Sequence, residues 1–126
     1  MANILIADDD RLVRTTIAAI LTAAGHSVAA VADGEACLQR LRAGLPDLVV
    51  LDIIMPERDG IDTIRVIRES WPRLPIVALS GGGRLRRTDV LQVAAEYGAD
   101  LVLAKPFENA DLVEGVRRLL ARDPRA

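Results

Sequence analysis

The chain has 126 residues, the size of one ordinary domain, and 51% of them are hydrophobic, enough for a full core. A formal net charge of −2 gives no reason to expect binding to nucleic acid or to an anionic membrane. Cys37 is the single cysteine, which excludes an internal disulfide, and the first residues contain no signal peptide or long apolar stretch. We therefore expect a cytoplasmic location.

Short aliphatic runs alternate with longer helical patterns along the chain. The runs predict strands over residues 3–7, about 27–31, 48–52, 76–80 and 101–104. The patterns predict helices from residue 10 or 11 to 24, about 34–43, about 88–97 and about 109–121. A further helix has its buried stripe between Ile61 and Trp71 and ends before Pro72.

Individual residues predict where the first two helices begin and end, and which side chains are buried. Asp10 and Asp33 are predicted to cap the starts of the first two helices, and Gly25 to cap the end of the first. Cys37 is expected to pack in the second helix, and His26 to be an exposed loop residue. The inward face of the first helix is expected to consist of Val13, Ile17, Ile20, Leu21 and Ala24.

Five strand–helix units in succession indicate an α/β fold, a doubly wound parallel sheet with helices on both faces. Few aromatic residues and many Val, Ile, Leu and Ala residues are typical of such sheets. No repeat, linker or low-complexity segment is visible. We expect one domain over residues 1–126, with residues 122–126 as a frayed tail.

Polar and charged side chains occur where the predicted strands end. Asp8 and Asp9 follow strand one, Asp52 ends strand three, Ser80 ends strand four and Lys105 follows strand five. In open α/β sheets, ligands bind at this carboxyl edge. Three carboxylates suit a hard divalent cation, most plausibly Mg²⁺. A hydroxyl and an ammonium group suit phosphoryl oxygens, and one carboxylate could be a nucleophile.

Four sequence stretches resemble the receiver domain of two-component response regulators, the CheY-like family. The resemblance covers essentially residues 3–121, and the order and spacing of the stretches make it specific. They are Ile4-Leu5-Ile6-Ala7-Asp8-Asp9-Asp10, Leu51-Asp52-Ile53-Ile54-Met55-Pro56 through Asp59-Gly60, Ala78-Leu79-Ser80-Gly81, and Gly98-Ala99-Asp100 through Lys105-Pro106-Phe107.

The resemblance implies a flavodoxin-like sheet in the strand order 2-1-3-4-5. It implies that Asp52 is the phosphoacceptor and that Mg²⁺ is the cofactor. Asp9 would bind the ion directly, Asp8 through water, and the backbone carbonyl of Ile54 would add another ligand.

Further roles implied by the resemblance concern the phosphoryl group. Ser80 would hydrogen-bond one of its oxygens and move toward it on phosphorylation. Lys105 would pair with its charge, and the Lys105–Pro106 peptide would be cis. Phosphoryl donors in the family are sensor histidine kinases or histidine phosphotransfer proteins.

Two departures from the family pattern affect the expected output. Val102 stands where the family usually has an aromatic residue, three positions before the lysine, so no aromatic ring is available here to act as the switch. Gly81 leaves the phosphoryl site open. We expect the loop of residues 81–89, which contains three glycines and Arg84, Arg86 and Arg87, to be mobile and to order on phosphorylation.

The leading interpretation is a single-domain regulator that signals to a protein target, or a phosphorelay component, without direct contact to nucleic acid or membrane. A receiver that forms part of a longer regulator remains an alternative. A Mg²⁺-dependent phosphohydrolase with Asp52 as nucleophile is a weaker one, because Ile54 stands where such enzymes often have a second acid. A scaffold without phosphorylation is disfavoured by the intact Asp8, Asp9, Asp52, Ser80 and Lys105.

Overall fold

The computed structural model describes residues 2–53, 60–80 and 98–122. These residues form strands β1 (Asn3–Ala7), β2 (Ser27–Val31), β3 (Leu48–Asp52), β4 (Ile76–Ser80) and β5 (Leu101–Ala104). They also form helices α1 (Arg11–Ala23), α2 (Gly34–Ala43), α3 (Gly60–Ser70) and α4 (Asn109–Ala121). The helix predicted over 88–97 and most of the predicted tail lie outside the described residues.

The five strands form one parallel sheet in the order β2-β1-β3-β4-β5, which confirms the predicted fold. Ala7 of β1 is in register with Leu51 of β3, and Asp52 is in register with Leu79 of β4. Ser80 is in register with Ala104 of β5. The polar residues at the strand ends therefore meet at one edge of the sheet.

Alternate residues of the central strands enter two separate cores, one on each face of the sheet. The first core joins the sheet to α2 and α3, and its strand residues are Leu5, Ala7, Val49, Leu51, Ile76 and Ala78. The second core joins the sheet to α1 and α4, and its strand residues are Ile4, Ile6, Leu48, Val50, Val77 and Leu79. Both faces of β1, β3 and β4 are thus covered, which explains their continuous apolar runs.

The caps of the first two helices confirm the predictions. The Asp10 carboxylate accepts hydrogen bonds from the backbone N–H groups of Leu12 and Val13, and the Asp33 carboxylate accepts one from Ala36. Gly25 follows the end of α1 with a φ of +101°, a conformation that favours glycine.

Two predictions near the end of α1 are wrong. The helix ends at Ala23, and Ala24, predicted to face inward, is exposed because it forms the C-cap where the chain turns away. His26 was expected to be exposed, yet it is half-buried, and its Nδ1 accepts a hydrogen bond from the backbone N–H of Ala2.

Cys37 packs in the first core, as predicted. Burial, with a smaller contribution from the negative charge of Asp33, raises the pKa of its thiol to about 12. The thiol is therefore protonated and unreactive in the folded protein. Among the described residues, no helix combines the length and the apolar character needed to cross a membrane.

Candidate functional site

Three polar residues at the carboxyl edge are buried. Asp8, which follows β1, is 0% exposed, Asp52 at the end of β3 is 5% exposed, and Ser80 at the end of β4 is 4% exposed. Burying a carboxylate is costly unless charged or polar groups compensate it. The sheet thus holds two carboxylates and a hydroxyl in an environment where the neighbouring groups determine their chemistry.

Asp8, Asp9 and Asp52 form an acidic cluster, a name we use for these three residues. One carboxylate oxygen from each lies within 4.8 Å of the others. Asp9 is exposed, so the cluster is open to solvent on one side. The structure therefore brings together the three acids that the sequence placed at two different strand ends.

Lys105, after β5, directs its ammonium group at the acidic cluster. Its ammonium group lies 3.1 Å from Asp8 Oδ2 and 3.6 Å from Asp52 Oδ2. The side chain is 22% exposed. Three carboxylates opposite one ammonium group leave two negative charges unbalanced within this set of four, which matches the charge of a divalent cation.

Asp8 is fixed by hydrogen bonds from several directions. Its Oδ1 accepts from the backbone N–H of Asp10 at 2.9 Å, and its own N–H donates to the carbonyl of Val31 at 3.2 Å. The Arg14 guanidinium donates to its backbone carbonyl at 2.8 Å. Arg14 was missed in the sequence, although side chains early in a helix point back toward its N-terminus, and that direction was a usable signal.

Gly60, at the start of α3, lies directly against the backbone of the candidate phosphoacceptor. A Cβ atom at this position would overlap backbone atoms of Asp52 and Ile53. The Gly60 N–H donates to the Ile53 carbonyl at 2.6 Å. Only glycine fits there, so the start of α3 fixes the end of β3. The sequence motif contained Gly60 but suggested no role for it.

The other predicted site residues lie around the same edge. The Ser80 carbonyl accepts a hydrogen bond from the Lys105 N–H at 2.7 Å. The Lys105–Pro106 peptide is cis, and Pro106 is exposed. Val102 is half-buried against the first core, in register with Ala78 of β4. Predicted roles for Ile54, Gly81 and the arginines at 84, 86 and 87 concern residues outside the described ranges.

A cavity of about 780 Å³ lies at the opposite, amino edge of the sheet. His26 and Asp47 are among its lining residues, and both already have partners. His26 accepts from the Ala2 N–H, and Asp47 Oδ2 accepts from the Asn3 N–H at 2.7 Å. The cavity contains none of the predicted site residues, so the carboxyl edge remains the candidate site.

The acidic cluster suits Mg²⁺ by its donors and its charge. Carboxylate oxygens are hard ligands of the kind that Mg²⁺ prefers, and the exposure of Asp9 gives the cluster access to water, several molecules of which this ion usually retains. A soft metal would need sulfur or imidazole ligands, and the cluster has neither.

Comparisons with known proteins agree with this geometry. The sequence model of the response regulator receiver domain matches residues 4–117. The transcriptional regulatory protein AfsQ1 of Streptomyces coelicolor is 38% identical over 126 residues, which cover 99% of this chain and 54% of that protein. The transcriptional regulatory protein CpxR of Escherichia coli is 35% identical over 122 residues, which cover 97% of this chain and 50% of that protein.

A solved structure gives the same picture for the fold. The receiver domain of NtrX from Brucella abortus superimposes with a TM-score of 0.89 at 30% sequence identity, covering 95% of this chain and 99% of that domain. The chain spans about half the length of the two curated relatives. The match is therefore to one domain of those longer proteins.

Proposed function

This chain belongs to the response regulator receiver domain family of two-component signalling, and we propose that it accepts a phosphoryl group on Asp52 in a Mg²⁺-dependent reaction. The observation that carries the proposal is the position of Asp52. It is 5% exposed, ends β3 beside Lys105, and lies within 4.8 Å of the carboxylates of Asp8 and Asp9.

Asp8, Asp9 and Asp52 would hold the Mg²⁺ ion, with the backbone carbonyl of Ile54 as a further proposed ligand. When bound, the ion neutralises charge on the transferring phosphoryl oxygens. Asp9 is the exposed member and is the proposed direct ligand, while the buried Asp8 is proposed to act through water.

In the proposed reaction, a carboxylate oxygen of Asp52 attacks phosphorus of a phosphohistidine donor. The new O–P bond forms as the P–N bond breaks, and the donor imidazole leaves with the electron pair and takes up a proton. Lys105, 3.6 Å from Asp52 Oδ2, is placed to offset the charge of the transferred group. Ser80 would hydrogen-bond one phosphoryl oxygen, and the proposed openness of the site at Gly81 would admit the donor.

The proposed donor is a sensor histidine kinase or a histidine phosphotransfer protein, and the proposed output is contact with a protein target or onward phosphate transfer. AfsQ1 and CpxR are transcriptional regulatory proteins about twice as long as this chain, so that role is theirs as whole proteins. Ser80, Val102 and Pro106 are the proposed switch positions. A half-buried valine has no ring to rotate, so we propose that the Ser80 carbonyl–Lys105 N–H bond links the two strands instead.

Incubation with acetyl phosphate and Mg²⁺, read by intact mass, tests the proposal. Wild-type protein should gain one phosphoryl group, and Asp52→Asn should gain none. Asp33→Asn is the matched control, because asparagine caps a helix as well as aspartate does and Asp33 is not one of the three carboxylates of the acidic cluster. This control should label like wild type.

Equal labelling of Asp52→Asn would refute Asp52 as the acceptor. Wild-type protein that labels equally well with and without Mg²⁺ would refute the metal requirement. Sustained turnover of a small phosphomonoester such as p-nitrophenyl phosphate would instead indicate a phosphohydrolase. We expect the protein to consume at most one equivalent of phosphoryl donor in each cycle of phosphorylation and dephosphorylation.

A further inference from the structure

Arg14 makes a contact to the acidic cluster that the phosphorylation chemistry does not require. The residue lies in the first turns of α1, and its guanidinium Nη1 donates a hydrogen bond to the backbone carbonyl of Asp8 at 2.8 Å. Asp8 is fully buried. Its carbonyl follows the last residue of β1 that pairs with both neighbouring strands, Ala7, and therefore lies where the sheet ladder ends.

The carbonyl of Asp8 belongs to the same planar peptide unit as the N–H of Asp9. A group that fixes this carbonyl therefore fixes the plane from which the Asp9 side chain projects. Burial constrains Asp8 and Asp52, but Asp9 is exposed, so packing does not determine its direction. The peptide plane is thus one means, among the residues that the structure describes, of holding Asp9 close to the other two carboxylates.

We propose that Arg14 is a positioning residue for divalent-cation binding, which orients Asp9 through the Asp8–Asp9 peptide. The inference rests on the proposed function only for the identity of the ion. Groups that orient metal ligands typically change metal affinity by 10- to 100-fold when removed.

A competing effect has the opposite sign. The guanidinium is itself a cation, and by Coulomb repulsion it would weaken the binding of Mg²⁺ nearby. Arg14 is only half-buried, so water and salt screen its repulsion of the ion, whereas the hydrogen bond that orients the peptide is a direct contact at 2.8 Å and is screened much less. We therefore expect positioning to dominate, and the sign of the change in affinity distinguishes the two effects.

The test compares Arg14→Met, Arg14→Lys and Arg11→Met by calorimetric titration with Mg²⁺. Arg14→Met should bind Mg²⁺ about tenfold more weakly than wild type. Arg14→Lys should recover most of the affinity, because the observed bond uses one N–H donor and lysine can supply one. Arg11→Met removes the same charge from an exposed position of the same helix and should bind like wild type.

A second measurement uses the metal-free protein. The Asp10 N–H donates to Asp8 Oδ1, and its hydrogen exchange should become faster in Arg14→Met and remain unchanged in Arg11→Met. A third measurement is the labelling rate with acetyl phosphate. The Mg²⁺ concentration for half-maximal rate should rise in Arg14→Met, with the rate at saturating Mg²⁺ close to wild type.

Tighter Mg²⁺ binding by Arg14→Met would overturn the proposal in favour of simple repulsion. Unchanged binding in both Arg14 variants would overturn it as well, even if Asp52 labels normally. If wild type binds Mg²⁺ with the expected dependence on Arg14 but never labels, the positioning role stands and the proposed phosphorylation fails.

Discussion

The two edges of the sheet hold their charged groups in opposite ways. At the carboxyl edge, three carboxylates lie within 4.8 Å of one another and face the single ammonium group of Lys105. At the amino edge, Arg68 and Asp100 form an ion pair at 2.7 Å, and these two side chains also bond to backbone groups and to Arg122. We call the amino edge the matched edge, because its carboxylate is paired directly with guanidinium groups, and this indicates a structural role. We call the carboxyl edge the unbalanced edge, because carboxylates outnumber cations there among the described residues, and this indicates a site that binds a cation.

The amino-edge ion pair connects four elements of the fold. Arg68 of α3 donates to the carbonyls of Gly98 and Leu74 at 2.8 and 2.6 Å, and Asp100 Oδ2 accepts from the N–H of Ile76 at 2.8 Å. Arg122, after α4, pairs with Asp100 Oδ1 at 3.0 Å. These bonds hold the starts of β4 and β5 to the ends of α3 and α4.

The largest expected effect on stability concerns the backbone packing beneath the unbalanced edge. Gly60→Ala should lower the free energy of unfolding by about 3 kcal/mol, because the new methyl group overlaps the backbone of Asp52 and Ile53. Urea denaturation measures this. Gly44→Ala is the control, since a Cβ there meets nothing within 4 Å and its φ of 172° is ordinary extended backbone. Equal loss in both variants would mean that close packing under Asp52 is unimportant.

The next effect tests the matched edge. Asp100→Asn should lower the free energy of unfolding by about 2 kcal/mol, because it replaces a charge-assisted partner of Arg68, which is only 19% exposed. Labelling of Asp52 by acetyl phosphate should be unchanged in the folded variant. Arg42→Met, which removes an exposed charge from the last turn of α2, should cost much less. If Asp100→Asn were as stable as wild type, the charge of Asp100 would have no structural role.

Replacing aspartate by asparagine at the carboxyl edge should change the free energy of unfolding in the opposite direction. Asp8 and Asp9 each lie within 4.8 Å of Asp52, so at an effective dielectric near 20 each repels it by at least about 3.5 kcal/mol, while Lys105 attracts it by about 4.6 kcal/mol at 3.6 Å. Repulsion wins, and after allowance for screening on the exposed side, Asp52→Asn should raise the free energy of unfolding by about 1 kcal/mol without divalent cations.

Adding Mg²⁺ should reduce or reverse that difference. Wild type has all three carboxylates of the acidic cluster and should gain stability by ligand linkage, whereas Asp52→Asn should gain less. Thermal unfolding with EDTA and with Mg²⁺ measures both states. A destabilised Asp52→Asn in EDTA would show that the charges at this edge are already balanced, and the contrast between the two edges would fail.

The sequence predicted those features that depend on local pattern. The strands β1, β3 and β4 are buried on both faces, so their continuous apolar runs fixed their bounds, and Asp10 and Asp33 cap helices as their residue type favours. Strand order and residue roles came from the family resemblance, since periodicity does not specify which strands are neighbours.

The missed features depend on contacts between distant parts of the chain or on how a turn bends. His26 is half-buried and accepts a hydrogen bond from Ala2, 24 residues earlier, and Ala24 is exposed because α1 ends one residue early. Arg14 reaches back to Asp8, and Gly60 packs on Asp52. Hydrophobic periodicity and helix-capping preferences do not predict such contacts.

The smallest expected effect comes from a group of three charged side chains on α4, at neither edge of the sheet, and it shows how little a largely solvent-exposed group contributes to stability. On α4, Arg117 and Arg118 donate to Glu114, and the hydrogen bond from Arg117 is the main reason that the pKa of this carboxyl falls to about 2. A carboxyl whose pKa is lowered on folding stabilises the fold at pH values above its ordinary pKa of 4.5, and this contribution is lost as the pH falls toward 2.

An NMR titration of the Glu114 carboxyl should give that low midpoint. The unfolding temperature of Glu114→Gln should lie within about a degree of that of wild type at pH 7, and the two should be indistinguishable in high salt. If instead Glu114→Gln lost as much stability as Asp100→Asn, solvent exposure would not distinguish weak ion pairs from strong ones in this fold. The ion pair at the amino edge would then not be a particularly stabilising one.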